Sequence, residues 1–340
     1  MAATSPATTS ADSLPEARRD LAPLLVAPVL MVAALPLVGS LPTWVTLTVA
    51  GLAMGMMIFV IASGLTLVFG LMDVLNFGHG AFIAVGAYLA MTMLVPLAGW
   101  VQADSLWLNL AALALAVAAA GIGTGVLGFA FERVIVMPVY GEHLKQILVT
   151  MGGLIVAEQA IHAVWGGDQK AMPLPQALRG AVVFGDVAVE KFRLLAVAVG
   201  LLVFAGMQLV LNRTKIGLLI RAGVENGEMV EALGYRIRRL FVGVFVAGSA
   251  LAGLGGTLWA LYRETLTAAI GGEVMVLVFI VIIIGGLGSV GGCFLGALVV
   301  ALAANYVGYL APKIALVSNI LIMAAILMWR PQGLYLVARR

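Results

Sequence analysis

Long apolar stretches alternate with short polar connections from residue 22 almost to the end of the chain. A transmembrane helix needs roughly 20 apolar residues to cross about 30 Å of hydrocarbon. The candidate spans lie at about 22–39, 44–70, 79–98, 106–130, 146–165, 192–211, 240–261, 274–290, 291–310 and 314–329. The stretch 44–70 is too long for one simple crossing, and 274–310 has room for two spans or one span plus a broken element. The pattern predicts an all-α, polytopic transmembrane bundle of about eight to ten spans with glycine-broken helices.

The composition requires lipid as the main solvent of the chain. Hydrophobic residues make up 63% of the sequence and charged residues only 10%, whereas a soluble domain has about 25% charged residues. The net charge of +3 is too weak to indicate a nucleic-acid partner. The single cysteine, Cys293, rules out an intrachain disulfide framework.

The distribution of Lys and Arg predicts that both termini are cytoplasmic. With ten spans and an inner N-terminus, thirteen of these residues fall on the cytoplasmic side and six outside, together the 19 of the chain, as the positive-inside rule requires. The polar segment 1–21 is expected to be a disordered cytoplasmic tail ahead of a membrane domain at 22–335. Two connections are long: 166–191 is predicted as an outer loop and 212–239 as the largest cytoplasmic loop.

One apolar segment carries unusual polar side chains. Within Gly64–Tyr88, Asp73, Asn76 and His79 surround Phe77. A polar or charged group at membrane depth is costly unless it faces protein or water, so these residues are candidates for a substrate path. The alternative is an ordinary loop between two spans, with Asn and Gly forming a turn, and spacing alone leaves both open.

Glycines interrupt this segment and a second one, Gly285–Ala297. Broken helices at mid-membrane expose backbone groups to solutes in many transporters, and two such segments in corresponding positions suggest a duplicated fold. Close helix packing at small residues is the other role open to these glycines. The helix-breaking or packing candidates are Gly70, Gly78, Gly80, Gly285, Gly286, Gly288 and Gly292.

Glu158 and His162 lie four residues apart on the predicted span 146–165 and therefore share one helix face. His162 is near the outer end, beside Trp165, which favours an interfacial position. Glu158 lies deeper, where a structural salt bridge and a contact in the substrate path are equally open.

The loop Thr214–Gly234 is helix-forming but is broken by Gly223 and Gly227, and its residues follow the pattern of an amphipathic helix. Its apolar side holds Leu218, Ala222, Met229 and Leu233, and its charged side holds Arg221, Glu228 and Glu231. Because acids and bases are mixed, the loop does not suit binding to anionic lipid. We expect it to dock into a groove of a partner protein.

The chain lacks the residues of an ATP site. A P-loop requires GxxxxGK[ST], and none of the five lysines follows a glycine. His79, His143 and His162 are too far apart in sequence to form a metal cluster, and nothing suggests a nucleophile–base pair. We expect no enzyme activity and no cofactor in this chain, so any ATP hydrolysis must occur in another subunit.

The glycine-broken segments and the loop described above resemble those of the permease subunits of branched-chain amino acid (and urea/amide) ABC transporters. The resemblance covers roughly residues 44–335. It rests on Gly64-Leu65, Leu67-Val68-Phe69-Gly70, Asn76-Phe77, His79-Gly80, Gly86-Ala87-Tyr88, Glu132-Arg133, Pro138, Gln146-Ile147-Leu148-Val149-Thr150, Gly285-Gly286-Leu287-Gly288-Ser289-Val290, Gly292, Arg330-Pro331 and Gly333-Leu334. Ala81 departs from the family pattern, which commonly has an acidic residue after His-Gly.

The resemblance implies a bacterial cytoplasmic (inner) membrane importer for branched-chain amino acids or similar small solutes, working by alternating access among membrane lipids. The implied partners are a second permease subunit of the same class, two ATPase subunits that bind ATP and Mg, and an outer solute-binding protein. It also implies that the loop contacts the ATPases, although Glu231-Ala232-Leu233-Gly234 only approximates the usual coupling motif. The coupling residues are Gly217, Arg221, Ala222, Glu225, Asn226, Met229, Ala232, Leu233 and Gly234.

Two other interpretations are compatible with the residues. A self-sufficient ion-coupled transporter or channel would use Asp73 and Glu158 as relay groups, although the sequence offers few intramembrane acids for a relay. Urea or another amide is an alternative solute, recognised near Asn76 and His79. An intramembrane enzyme lacks any catalytic constellation.

Overall fold

Apolar α-helices form nearly the whole of the described structure, a computed structural model that covers residues 22–335. The predicted tail 1–21 lies outside this range. The helices are α1 (Ala22–Val38), α2 (Leu41–Met72), α3 (His79–Leu94), α4 (Ala98–Val101), α5 (Leu106–Phe131), α6 (His143–Trp165), α7 (Lys191–Arg213), α8 (Lys215–Glu225), α9 (Gly227–Ala232), α10 (Ile237–Arg263), α11 (Ile270–Gly285), α12 (Val290–Leu310) and α13 (Ala315–Trp329).

The predicted spans match ten apolar helices in order. By length and composition, the helices able to cross a membrane are α2, α5 together with the turns that extend it to Val139, α6, α7, α10 and α12. The apolar helices α1, α3, α11 and α13 are shorter. The polytopic all-helical class is therefore confirmed. The stretch 44–70 belongs to one helix of 32 residues, and 274–310 is divided between α11 and α12.

Helix α2 forms the centre of the bundle and runs antiparallel to α10 and α12. The Thr48 hydroxyl lies 2.7 Å from that of Tyr306, while Gly70, near the other end of α2, touches Gly288. Gly64 similarly touches Gly248 of α10. Small residues let the backbones of membrane helices approach closely, which replaces the hydrophobic driving force absent in lipid.

The helices alternate between two ends of the bundle. We call one the basic end, where Arg238 contacts Met137 and Asp73 lies 3.9 Å from His143; it also carries α8 and α9. We call the other the hairpin end. There the connection 166–191 forms an antiparallel hairpin of β2 (Ala181–Phe184) and β3 (Val187–Glu190), and β1 (Lys170–Ala171) pairs with β4 (Thr265–Leu266).

Two parts of the chain repeat the same structure in opposite directions. Helix α2 ends at Asp73 (φ 52°) and leads through residues 73–78 into α3, while α10 ends at Glu264 (φ 53°) and leads through 264–269 into α11. Both following helices have 16 residues. Because α2 and α10 are antiparallel, these two units are inverted with respect to each other, an arrangement typical of transporters.

Candidate translocation site

The half-helices α3 and α11 meet at their first turns, inside the bundle. A Cβ added to Gly271 would overlap the carbonyl oxygen of Gly80, and a Cβ on Gly80 would lie 3.1 Å from the Gly271 backbone. Ile61, whose carbonyl contacts His79, lies eleven residues before the end of α2. At 1.5 Å per residue, α3 therefore begins about 16 Å from that end.

The His79 side chain connects α3 to α2 through a contact with the α2 backbone. Its ring is buried, and Nε2 lies 3.0 Å from the carbonyl oxygen of Ile61. A Cβ on Gly64, one turn further along α2, would lie 3.0 Å from the same ring. The structure thus places this substrate-path candidate between two helices.

The segment before α3 is fixed against α6 and α11. The backbone N–H of Phe77 donates to Thr150 Oγ1 at 3.1 Å, and the Phe77 ring lies 4.7 Å, centroid to centroid, from that of Phe279. Asn76 is 1% exposed, and neither its Oδ1 nor its Nδ2 has a hydrogen-bond partner among the described residues. An unpaired buried amide is costly, so Asn76 stands out among the predicted path residues.

Asp73 lies apart from these residues. Its side chain is 58% exposed at the basic end, with Oδ2 3.9 Å from His143 Nε2. The left-handed backbone at Asp73 ends α2. The Asp73 N–H makes the last hydrogen bond of the helix, to the carbonyl of Phe69 at 2.9 Å. The structure therefore separates Asp73 from Asn76 and His79, which the sequence had grouped together.

Two carboxylates mark an incompletely covered face of the bundle, which we call the acidic face and define by Glu158 and Glu273. A Cβ on Gly272 would lie 3.5 Å from Glu158 Oε1, and Glu273 is exposed in the first turn of α11. Glu273 was not among the residues predicted for the path; its signal in the sequence is an acid directly after Gly271 and Gly272 at the start of an apolar stretch. Charged groups at membrane depth need water or protein around them.

Glycines also form the break between α11 and α12. Gly286 (φ 97°) and Gly288 (φ 83°) occupy the left-handed region, which a residue with a side chain rarely adopts. Gly285 packs on Gly292, and Ser289 caps α12 by accepting from the Gly292 N–H at 3.0 Å. These glycines thus combine the two predicted roles, helix breaking and close packing.

The loop at the basic end, predicted as a helix-forming segment broken by Gly223 and Gly227, forms two helices that divide just before Gly227, while Gly223 lies within α8. Asn226 divides it into α8 and α9, because its Oδ1 accepts from the Met229 N–H at 2.9 Å and starts a new helix. Ile220 and Val230 are buried and hold the loop to the bundle. The large apolar residues left exposed on its outer surface include Leu218 (62%), Met229 (54%) and Leu233 (69%).

The remaining coupling candidates shape this loop. Gly217 lies so close to the backbone of Leu211 that a Cβ would overlap it, and Gly234 has a φ of 85°. Arg221 donates to Asn212 Oδ1 at 3.4 Å. Glu225 and Ala232 are exposed and Ala222 is partly exposed, so the outer surface of the loop is accessible to a partner.

Side chains that bind metals are dispersed in the described part of the chain. Residues 22–335 contain no group of three or more His, Cys, Asp or Glu side chains that could hold a metal ion. The candidate site instead consists of backbone groups at two helix starts, buried amides and two carboxylates.

The profile of the branched-chain amino acid transport system permease component matches residues 47–329, from α2 to the end of α13. The chain belongs to this permease family. It is 31% identical over 75% of its length to the high-affinity branched-chain amino acid transport permease BraD of Pseudomonas aeruginosa, covering 83% of that protein. It is 25% identical to the corresponding Escherichia coli K12 permease LivH, over 84% of this chain and 92% of that one.

A probable branched-chain amino acid permease of the same name from Methanocaldococcus jannaschii is 23% identical over 82% of this chain and 88% of its own. No solved structure matches the chain. The family resemblance carried by the sequence motifs is confirmed. This permease is a multi-pass protein of the inner membrane, and the matched region contains both half-helices and the α8–α9 loop.

Proposed function

We propose that this permease forms the translocation path of an ATP-driven importer for branched-chain amino acids or similar small solutes. The observation that carries the proposal is the meeting of α3 and α11 at Gly80 and Gly271, inside the bundle and beside the acidic face. Half-helices that begin within a bundle present free backbone N–H groups and the positive ends of their dipoles to a solute. The names of the relatives support branched-chain amino acids as the solute.

A second permease subunit would cover the acidic face. Glu158 is partly exposed and Glu273 is exposed on helices of the membrane domain, and lipid is a poor environment for a carboxylate. A partner subunit would enclose an aqueous path between the two proteins and shield these groups from hydrocarbon. The exposed faces of α1 and α13 and of the middle of α7 carry no charge and suit contact with lipid.

The α8–α9 loop would couple movement of the membrane helices to ATP hydrolysis in partner ATPase subunits, which would bind ATP and Mg. Leu218, Met229 and Leu233 leave apolar area uncovered at the basic end, as in a helix that docks into a hydrophobic groove. Ile220 and Val230 tie the same loop to the bundle. A displacement of the loop by the ATPases would therefore reach the bundle through packed side chains.

Alternating access follows from the two inverted units. Each has a long helix, a left-handed acidic residue and a half-helix, and the two meet at one backbone contact. Tilting of one unit against the other about this contact would open the path to either side in turn, a rigid-body mechanism common to transporters with inverted repeats.

The hairpin end offers a surface for an outer solute-binding protein. A cleft of about 850 Å³ opens there, lined in part by Asp104, Arg179 and Lys191. This cleft lies away from the meeting point of α3 and α11, so it suits docking of a protein rather than passage of the solute. Its mixed charges favour a complementary polar partner surface.

Purification and reconstitution test the proposal. The tagged permease is isolated in mild detergent, co-purifying chains are identified by mass, and leucine uptake is measured in vesicles with and without ATP inside. We expect a second permease chain, P-loop ATPases and uptake that requires ATP and an outer binding protein. Uptake by this chain alone along an ion gradient would refute the proposal and favour an ion-coupled transporter, in which Glu158 and Glu273 would be relay groups.

A further inference from the structure

Unpaired polar groups cluster at the start of α3, and we call this place the α3 cap site, formed by Asn76, Gly78, Gly80 and Gln146. Asn76 and Gln146 are each 1% exposed. Neither polar atom of the Asn76 amide has a partner among the described residues, and neither does Gln146 Oε1. Buried polar atoms are nearly always hydrogen-bonded, so three unpaired atoms on neighbouring segments indicate a missing ligand.

Backbone contacts bring these groups to the same helix start. The Phe77 N–H donates to Thr150 Oγ1 at 3.1 Å, and the Thr150 hydroxyl donates to the carbonyl of Gln146, one turn earlier on α6, at 2.7 Å. Asn76 Oδ1 lies 3.0 Å from the position of a Cβ on Gly78, the N-cap of α3. The two amides therefore belong to the facing segments that bound the space between α6 and the start of α3.

The backbone adds hydrogen-bond donors to this space. No side chain caps α3, and the N–H groups of Gly78 and Gly80 donate to no acceptor among residues 22–335. Both glycines are buried. The start of a 16-residue helix carries a partial positive charge, so these donors favour an anionic group.

The set of unpaired groups defines the chemistry of the missing ligand. The Gly78 and Gly80 N–H groups and Asn76 Nδ2 are donors, whereas Asn76 Oδ1 and Gln146 Oε1 are acceptors. A simple anion would leave both amide oxygens unpaired, and a metal cation would face the positive end of α3. A zwitterion with a carboxylate and an ammonium on one carbon satisfies both sets of groups.

We infer that the α3 cap site binds the α-carboxylate and α-ammonium groups common to amino acids, with the carboxylate at the α3 N–H groups and the ammonium between the two amide oxygens. This inference rests on the proposed function and names the solute class and the groups that select it. The rings of Phe77 and Phe131 provide apolar surface for the solute side chain. Because the Phe131 ring packs directly against Gly78, the site is closed in this conformation, and access requires that ring to turn away.

Binding of radiolabelled leucine to the detergent-purified permease with its membrane partners, without any soluble binding protein, tests the inference. Leucinamide lacks the carboxylate and N-acetylleucine lacks the ammonium, so each should compete at least about tenfold more weakly than leucine. Gln146→Met keeps the volume but removes the acceptor, and should raise the Kd for leucine by about tenfold, as should Asn76→Leu. Gln146→Glu retains an acceptor and should keep leucine binding.

Gln159→Met is the matched control, because Gln159 is an exposed amide on the same helix and should bind leucine as the wild type does. Equal leucine affinity of the Gln146→Met and Asn76→Leu variants and the wild type would overturn the inference and leave the site to ordered water. Preferential binding of urea, or no saturable binding of leucine to the wild type, would overturn it as well. The proposed function fails separately, through leucine uptake that does not need ATP.

Discussion

Gly80 and Gly271 touch backbone to backbone, and each is the second residue of a half-helix. The contact joins α3 and α11, which belong to the two inverted units, so it lies where those units meet. No residue with a side chain fits at Gly271 without displacing the Gly80 carbonyl. The two half-helices depend on this pair for their position inside the bundle.

The Gly271→Val variant should therefore lose stability and leucine uptake together. Overpacking typically costs about 1–3 kcal/mol, and here the added atoms meet backbone rather than a flexible side chain. The midpoint of thermal unfolding in detergent and uptake in vesicles measure both effects. Gly121→Val is the matched control, since nothing lies within 4 Å of a Cβ at Gly121; equal effects of the two changes would contradict a special role for the contact.

On the acidic face, Glu158→Gln and Glu273→Gln should each lower uptake, because both changes remove a charge beside the start of α11 while keeping the shape of the side chain. We expect a loss of about tenfold in rate, equivalent to about 1.4 kcal/mol of activation free energy. Glu142→Gln provides the comparison, as Glu142 is an exposed carboxylate 2.6 Å from Lys145, and exposed pairs contribute only about 0–1 kcal/mol. A normal rate in both acidic-face variants would remove these carboxylates from the path.

In the α8–α9 loop, Gly234→Pro and Met229→Asp should abolish ATP-coupled uptake and leave membrane insertion intact. Gly234 has a φ of 85°, whereas proline fixes φ near −65°, and an aspartate at the exposed Met229 would put a charge into the docking surface. Uptake and the amount of protein in the membrane are compared with those of Met229→Leu, which keeps the apolar contact. Normal uptake in the first two variants would refute the coupling role of the loop.

The orientation of the permease can be measured with single cysteines. Phe184→Cys places an exposed thiol on the hairpin, and Glu228→Cys places one in α9, while the native Cys293 is fully buried and should give little background. A membrane-impermeant maleimide should label the first variant in spheroplasts and the second only after the membrane is opened. Labelling in the reverse order would contradict a cytoplasmic basic end.

Much of the fold was predictable from the sequence because the relevant physics is local. Whether some 20 consecutive residues suit hydrocarbon depends on their own side chains, so the ten predicted spans matched ten apolar helices in order. Local chemistry also decided some breaks: glycines at 286 and 288 permit left-handed turns, and a Pro/Gly-rich connection became the hairpin end. In the α8–α9 loop, the predicted break at Gly227 coincides with the division of the two helices, where Asn226 caps α9, whereas Gly223 is accommodated within α8.

The sequence by itself thus determined a polytopic permease with two glycine-broken segments and a long, charged loop between two spans. Only the tertiary structure decided how deep the half-helices begin, that Gly80 meets Gly271, and that Asp73 lies apart from Asn76. It alone brought α6 against the start of α3, through Phe77, Thr150 and Gln146, and Glu158 against Gly272 of α11. These relationships connect residues far apart in the chain and depend on how whole helices pack, and no local property of a side chain specifies which distant backbone it will meet.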